Sequence, residues 1–300
     1  MWNRNSKELT RRRFLGNSAA SGAAFIGSGI VGSAAFADQT PKKGGTLRIG
    51  IGHGSTTETL NPAHLESGAQ ELLTRAFSDN LTEIVADGSV QPSLAESWKA
   101  SPDAKEWTFR LRKGVEFHNG KIVDADDVIA SINYHRSEGT TSSVAPLAKP
   151  IVDIIKLDEL TVKFVLESGS ADFPLTMDTA GFMILPAEAD GNIVWKDSIG
   201  TGGYKLESYK PGISASLVRN ENDWNPNRAH FDRIEVLNLV DPTSRSSALV
   251  GGIVDVIDRV IPKTASLLGR QPGVKVIETA GPLHYTFSML TNKAPFDDIN

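Results

Sequence analysis

Hydrophobic and polar residues alternate most clearly at Trp107, Phe109 and Leu111, which are separated by Thr108 and Arg110. That period of two predicts a half-buried strand. Asn119-Gly120 follows as a turn, because both residue types tolerate the positive φ of a tight reversal. Asp124 then stands where a helix N-cap belongs, with Asp127 three residues on, ahead of apolar Val128, Ile129, Ile132 and Tyr134. The two carboxylates predict a capped helix start, with the cap contributing about 1 kcal/mol.

The same patterning predicts a first strand over residues 46–51 and a helix over 69–77. Residues 154–157 and 161–166 read as a hairpin around Asp158-Glu159, residues 172–178 as a short helix, and 183–186 as a strand end. Residues 233–240 read as a strand. Asp241-Pro242-Thr243 opens a helix that Gly251-Gly252 closes, and residues 254–257 form the next strand. Tyr285 to Leu290 reads as the last strand. Strand, helix and strand therefore alternate across residues 233–290, which predicts an α/β sheet.

Three hundred residues exceed the usual size of one core, so two domains are expected. A 40% hydrophobic, 22% charged chain can bury such cores and is not of the disordered type. There is no cysteine, which removes disulfides, thiol catalysis and zinc–cysteine sites. The N-terminus reads as an export signal over residues 1–37. Thr10-Arg11-Arg12-Arg13-Phe14-Leu15 resembles the twin-arginine pattern, with Arg11 and Arg12 as the recognised pair. A Gly/Ala-rich stretch from Gly16 to Phe36 follows, and Ala35-Phe36-Ala37 gives a small-x-small cleavage site. The stretch is nearly long enough to span a bilayer, but Asn17 and its many Gly and Ser residues oppose stable insertion. Removing residues 1–37 takes away five basic residues and one acid, leaving 26 basic against 35 acidic, net −9. That balance argues against nucleic acid or anionic lipid as partners, since both need a basic face.

The run Trp107-Thr108-Phe109-Arg110-Leu111-Arg112, then Gly114-Val115, Phe117 and Gly120, then the Asp127-Val128 helix, resembles a known family pattern. It is similar to the family 5 extracytoplasmic solute-binding proteins, the peptide and nickel receptors of ABC importers. Leu94-Ala95-Glu96-Ser97-Trp98 fits the same family, as does the run from Asp79 to Pro92, which resembles its crossing from first to second domain. Gly200-Thr201-Gly202-Gly203-Tyr204-Lys205-Leu206 matches the return element, with Gly203 in place of the usual proline, so a looser link is expected. The stretch from Ser216 to Trp224, the Val254-Asp255 element, and Lys293-Ala294-Pro295-Phe296-Asp297-Asp298 continue the match. Met289-Leu290 departs from the Phe-Asn of many members.

The resemblance implies an α/β, periplasmic-binding-protein-like (type II) fold with discontinuous domains. Residues 38–43 would be a leader, residues 44–80 and 196–300 domain I, and residues 81–195 domain II, with a third domain missing from these 300 residues. It also implies a periplasmic monomer that captures a peptide or peptide-like small-molecule ligand by hinge closure and hands it to an ABC permease in the inner membrane, without cofactor. Moving such an equilibrium from 1:99 to 99:1 takes about 5.5 kcal/mol of differential affinity. Because the family's main ligand anchors lie in the third domain, weak binding by these 300 residues is expected.

Candidate chemistry changes this picture little. The six histidines (His53, His64, His118, His135, His230 and His284) are dispersed without metal-ligand spacing, which predicts surface or half-buried polar residues. Asp124-Ala125-Asp126-Asp127 fails as a calcium loop because Ile129 occupies the sixth position. Gly50, Gly52 and Gly54 have the wrong spacing for a dinucleotide loop, and Asn61-Pro62 arrives too early. No Gly-x-Ser-x-Gly elbow occurs in the exported part, and no catalytic residue is singled out. An exported hydrolase, or a receptor used for sensing, are the competing readings. Ligands of open α/β sheets gather outside the carboxyl ends of strands, so Ser55, Thr56 and Thr57 after the first strand are binding candidates. Trp195, just before the return element, is a further candidate, because indole suits wet interfaces.

Overall fold

The alternating segments of the sequence assemble into a five-stranded and a four-stranded sheet, each with its own buried core, and a small two-stranded pair. A computed structural model describes residues 41–278. The predicted signal with Arg11 and Arg12, the 285–290 strand and the Lys293 to Asp298 motif lie outside the described residues.

The chain begins with β1 (Thr46–Ile51) and α1 (Gly68–Phe77), then crosses into a second lobe. That lobe holds β2 (Thr82–Ile84), β3 (Val90–Pro92), β4 (Ala95–Ala100), β5 (Glu106–Leu111), α2 (Ala125–Asn133) and α3 (Ala145–Ala148). It continues with β6 (Ile151–Asp158), β7 (Thr161–Leu166) and α4 (Phe173–Thr176). The chain then returns through β8 (Tyr204–Lys210), β9 (Ser214–Arg219), β10 (Arg233–Asn238), α5 (Pro242–Val250), β11 (Val256–Ile257) and α6 (Pro262–Leu268). The first sheet has the order β11-β1-β10-β9-β8, with β1 parallel to both neighbours and the remaining pairs antiparallel. The second has the order β4-β5-β7-β6 and is antiparallel throughout.

Local chemistry explains most elements. Asp124 accepts the N–H groups of Asp126 and Asp127, while Asp127 accepts the N–H of Asp124, so α2 starts in a capping box. Asp127 does more than cap. It is fully buried, binds Lys121 and accepts the Ala187 N–H at 2.7 Å, which ties the helix start to the returning chain. Ser67 and Gln70 cap α1 in the same reciprocal way. Pro242 follows the Asp241 cap of α5, and Gly251 ends it. Gly120 takes φ +86° in the turn before α2, a backbone conformation suited to glycine. The hairpin strand β6 is longer than its pattern predicts, and β10 ends two residues earlier. The predicted 254–257 strand pairs only at Val256 and Ile257, on the free edge of the sheet.

In the second lobe Phe109, Phe164 and Phe173 meet edge-on at 5.3–6.1 Å around a core that includes Trp107, Leu111, Val128 and Ile132. The first lobe buries Ile51, Leu73, Phe77, Leu217 and Val236 between α1 and the sheet. Residues 183–186 are not a strand. They are an extended, buried run whose side chains alternate between lobes, with Phe182 and Ile184 in the second core and Met183 and Leu185 in the first. The period of two is real, but its partners are two cores rather than a sheet.

The two crossings pack tightly, contrary to the loose link expected from Gly203. A Cβ on Gly200 would lie 2.1 Å from the Phe77 carbonyl oxygen, and one on Gly203 would lie 2.9 Å from both Ala229 Cβ and an Asp223 oxygen. Beside them Asp79 accepts hydrogen bonds from Arg228, Thr201 Oγ1 (2.9 Å) and Trp224 Nε1 (2.9 Å), while Arg228 also binds Asp223. The Trp224 ring has Arg112 of the second lobe 4.9 Å from its centroid and Arg228 at 5.0 Å. Burial works against the Arg228 charge, but the hydrogen bonds and charges of Asp79 and Asp223 overcome it and raise its proton affinity. His118 is more than a polar residue on a loop. It spans the second crossing, accepting the Gly200 N–H at 3.4 Å and meeting the Gly202 carbonyl at 2.9 Å.

Candidate functional site

Strand β1 lies between parallel β10 and β11, so three strand ends open on one edge of the first sheet. Crevices at such carboxyl edges are the usual ligand position in open α/β sheets. The edge is rigidly built. Arg245, 4% exposed, donates to the carbonyls of Leu239 (2.6 Å), Val240 (3.0 Å), Asp258 (3.2 Å) and Arg259 (3.3 Å), and so ties the exits of β10 and β11 together. Asp258 accepts the Gly52 N–H at 2.7 Å and thereby holds the exit of β1. Gly52 is glycine because a Cβ there would sit 2.5 Å from the Arg245 guanidinium. Gly52 therefore serves close packing at the exit of β1.

Above this edge lies a cleft of about 540 Å³ whose walls come from both lobes. The first lobe contributes His53, Glu66, Gly68, Glu71, Arg75 and Arg259; the second contributes Ile84, Leu147, Leu175 and Asp178. Helix α1 points its start into the cleft, with the Gly68 N–H donating to His53 Nδ1 at 3.3 Å and the Ala69 N–H to the His53 carbonyl at 3.1 Å. Because Nδ1 accepts, the His53 proton sits on Nε2. Arg75 is spoken for: it binds Glu71 at 3.2 Å and, across the lobes, Asp178 at 2.9 Å. Burial opposes its charge, and Asp178 and Glu71 together raise its proton affinity above the ordinary value. Glu66 and the His53 Nε2–H are left to meet a ligand, with Arg259 paired only loosely to Asp258 at 3.6 Å. Ile84, Leu147 and Leu175 are each more than a third exposed and form an apolar wall opposite. A second cavity of about 550 Å³ shares Gly68, Glu71 and Arg75 and extends along α1 past Leu72 and Tyr204. An apolar wall facing a carboxylate, an imidazole and a guanidinium can hold an amphiphilic small molecule.

The residues singled out from the sequence fall elsewhere. Ser55, Thr56 and Thr57 form an exposed turn in which the Ser55 and Thr57 hydroxyls bond each other at 3.0 Å. The turn presses on Gly212, where a Cβ would lie 2.6 Å from Ser55, and none of the three lines the cleft. Trp195 is half-buried against the first core and borders a separate groove with residues 58–60. The structure thus brings Trp195 next to the continuation of the Ser55–Thr57 turn without placing either in the cleft. Sequence reading missed His53, Glu66, Arg75 and Arg259. The one signal for them is the Ser67/Gln70 capping box just after Glu66, which marks a helix start near the strand end.

Among the described residues, no three His, Asp or Glu side chains gather to hold a metal ion. His135 is not a surface residue: it is 1% exposed, packs edge-on against Tyr134 and Phe182, and pairs with Ser142 Oγ at 2.6 Å. Burial pulls the imidazole down to about 4. The Ser142–His135 pair is buried and ties the 137–143 loop to the end of α2.

The profile of the family described as "Bacterial extracellular solute-binding proteins, family 5 Middle" matches residues 89–300. Heme-binding protein A of Haemophilus influenzae is 32% identical over 237 residues, covering 70% of this chain and 43% of that protein. The probable D,D-dipeptide-binding periplasmic protein DdpA of Escherichia coli is 29% identical over 261 residues, covering 82% of this chain and 50% of that one. Among solved structures, the periplasmic binding protein AgaA of A. tumefaciens R10, in complex with agropinic acid, superposes with a TM-score of 0.70 at 28% identity. That match covers 76% of this chain and 46% of AgaA. The chain spans about half the length of the relatives it matches.

Proposed function

Because the chain belongs to the bacterial extracellular solute-binding proteins of family 5, we propose that it is the ligand-capturing component of an ABC importer. The family's members are binding proteins of the periplasm, and the chain shares their type II α/β fold over the part it spans. Among the described residues, no helix is long and apolar enough to cross a membrane. In this reading the protein is exported through the twin-arginine route by Arg11 and Arg12. It acts as a monomer, takes a peptide or peptide-like solute, and delivers it to the permease. Domain I comprises residues 44–80 and 196–300, and domain II residues 81–195.

The observation that carries the reading is the two-walled cleft at the carboxyl edge of β1. Glu66 offers a counter-charge to an amino group, His53 Nε2–H and Arg259 offer donors to a carboxylate or carbonyl, and Ile84, Leu147 and Leu175 take apolar side chains. A zwitterionic, partly apolar solute uses all three. Ser55, Thr56, Thr57 and Trp195 do not line this cleft, and in this reading they are candidates for contacts outside it.

Native mass spectrometry of the protein purified from the periplasm with what it carries, followed by calorimetry with the ligand class found, tests this. Glu66→Gln and Arg259→Gln should each weaken binding about tenfold, the usual loss for a charge-assisted hydrogen bond. Affinity unchanged in both variants would refute the cleft assignment.

A further inference from the structure

Trp195 borders a groove of about 390 Å³ that shares no lining residue with the cleft. Its walls are residues 58–60, the segment 195–198, and strand β8 as far as Pro211. Two aromatic side chains, Trp195 and Tyr209, and two acids, Glu58 and Asp197, dominate its chemistry. A third acid, Glu207, is already held by Arg233. Two polar atoms of the lining residues are buried without a hydrogen-bond partner among the described residues: Glu58 Oε2 and the Tyr209 hydroxyl. Burial first, and then the Glu58 charge and the contact between the two side chains, push the phenol up to about 12, so Tyr209 stays a neutral donor whose hydroxyl lies toward the Glu58 carboxylate without completing a well-formed hydrogen bond to it. The indole already attracts a cation, since Lys196 Nζ lies 5.9 Å from the Trp195 ring centroid.

We propose that this groove binds a compact organic cation, an ammonium or guanidinium on an aliphatic stem, with Glu58 as counter-charge and Trp195 and Tyr209 as flanking rings. Two acids disfavour an anion, and a neutral apolar molecule would leave the Glu58 oxygen buried and unpaired. A guanidinium satisfies both features at once, because it stacks on an indole and donates a fork of hydrogen bonds to a carboxylate. Lys196 lies over the same ring and competes with the incoming cation. The site is independent of the solute cleft, so its failure would leave the reading of that cleft standing.

The test is titration of the whole protein with agmatine, following the Trp195 indole N–H by NMR and assigning it with Trp195→Phe. The expected result is a saturable shift in the millimolar range or below (about 1 mM corresponds to modest binding energy). Glu58→Gln should weaken it about tenfold, and exposed Lys196→Gln should strengthen it by removing the internal competitor. Butylurea, a neutral mimic of the same length, should not produce the shift. Absence of a saturable shift up to about 10 mM would overturn the proposal. So would equal binding of butylurea, or affinity indifferent to both Glu58→Gln and Lys196→Gln. Lys196→Gln keeps the test open if Glu58→Gln fails to fold.

Discussion

Replacing Arg228 by methionine should be the most damaging single change at the junction of the two lobes. Its guanidinium is the shared cation of Asp79 and Asp223, whose side chains are only 6% and 8% exposed. Removing it strands two buried carboxylates side by side, whereas breaking one buried ion pair already costs about 3–5 kcal/mol. Arg228 itself is 27% exposed, so solvent relieves part of that loss, and about 4 kcal/mol is expected. Asp79→Ala should cost less, about 2–3 kcal/mol. Arg228 keeps Asp223, while Thr201 Oγ1 and Trp224 Nε1 each lose an acceptor at about 1 kcal/mol. The double variant should cost at least about 1 kcal/mol less than the sum, since removing Asp79 relieves one stranded charge. Urea unfolding at pH 7, followed by circular dichroism and tryptophan fluorescence, measures all three. Strict additivity, or an Arg228→Met loss below about 1 kcal/mol, would refute the idea that this cluster locks the lobes.

Three further outcomes are expected. His135 is depressed from 6.5 to about 4, so its neutral form is favoured in the folded protein, and half-buried His118 shifts in the same direction. The stability this represents is complete above pH 6.5 and is lost as pH falls toward 4, by about 3 kcal/mol for His135. Thermal melts should therefore be flat from pH 8 to 7 and fall steeply below 6; the same slope in His135→Asn would assign the loss to other groups. Gly200→Ala forces a methyl group against the Phe77 carbonyl at 2.1 Å and should cost about 2–3 kcal/mol in urea unfolding, while Gly269→Ala, at φ −66° with its nearest contact at an ordinary 3.5 Å, should meet no such clash. Changing Arg11 and Arg12 together to Lys should abolish export in a fractionation assay, and an undiminished periplasmic yield would rule out the twin-arginine route.

Features that depend on neighbours along the chain are legible in residue type and spacing. The Asp124/Asp127 box, the Asp241-Pro242 start, the Gly120 turn and the alternation of β5 all involve groups within a few residues of one another. Backbone geometry alone brings such groups together, so no distant contact is needed to identify them. The motif order along the chain likewise carries the family.

The binding edge and the lobe junction are not legible in this way, because they join residues far apart in the chain. Asp79 meets Arg228 across 149 positions, Gly52 meets Asp258 across 206, and Arg75 meets Asp178 across 103. Polar residues such as Glu66 and Arg259 carry no local mark that separates a cleft wall from a solvated surface. The hydroxyl turn Ser55–Thr57 has the right position after β1, yet the path of β8 and β9 presses it against Gly212. Residue type and spacing along the chain specify most of the elements, their caps and the family. Which side chains face the cleft, and that the glycines of the return element make a tight junction rather than a loose one, emerge with the folded chain, because burial and long-range contact depend on how the chain is folded back on itself.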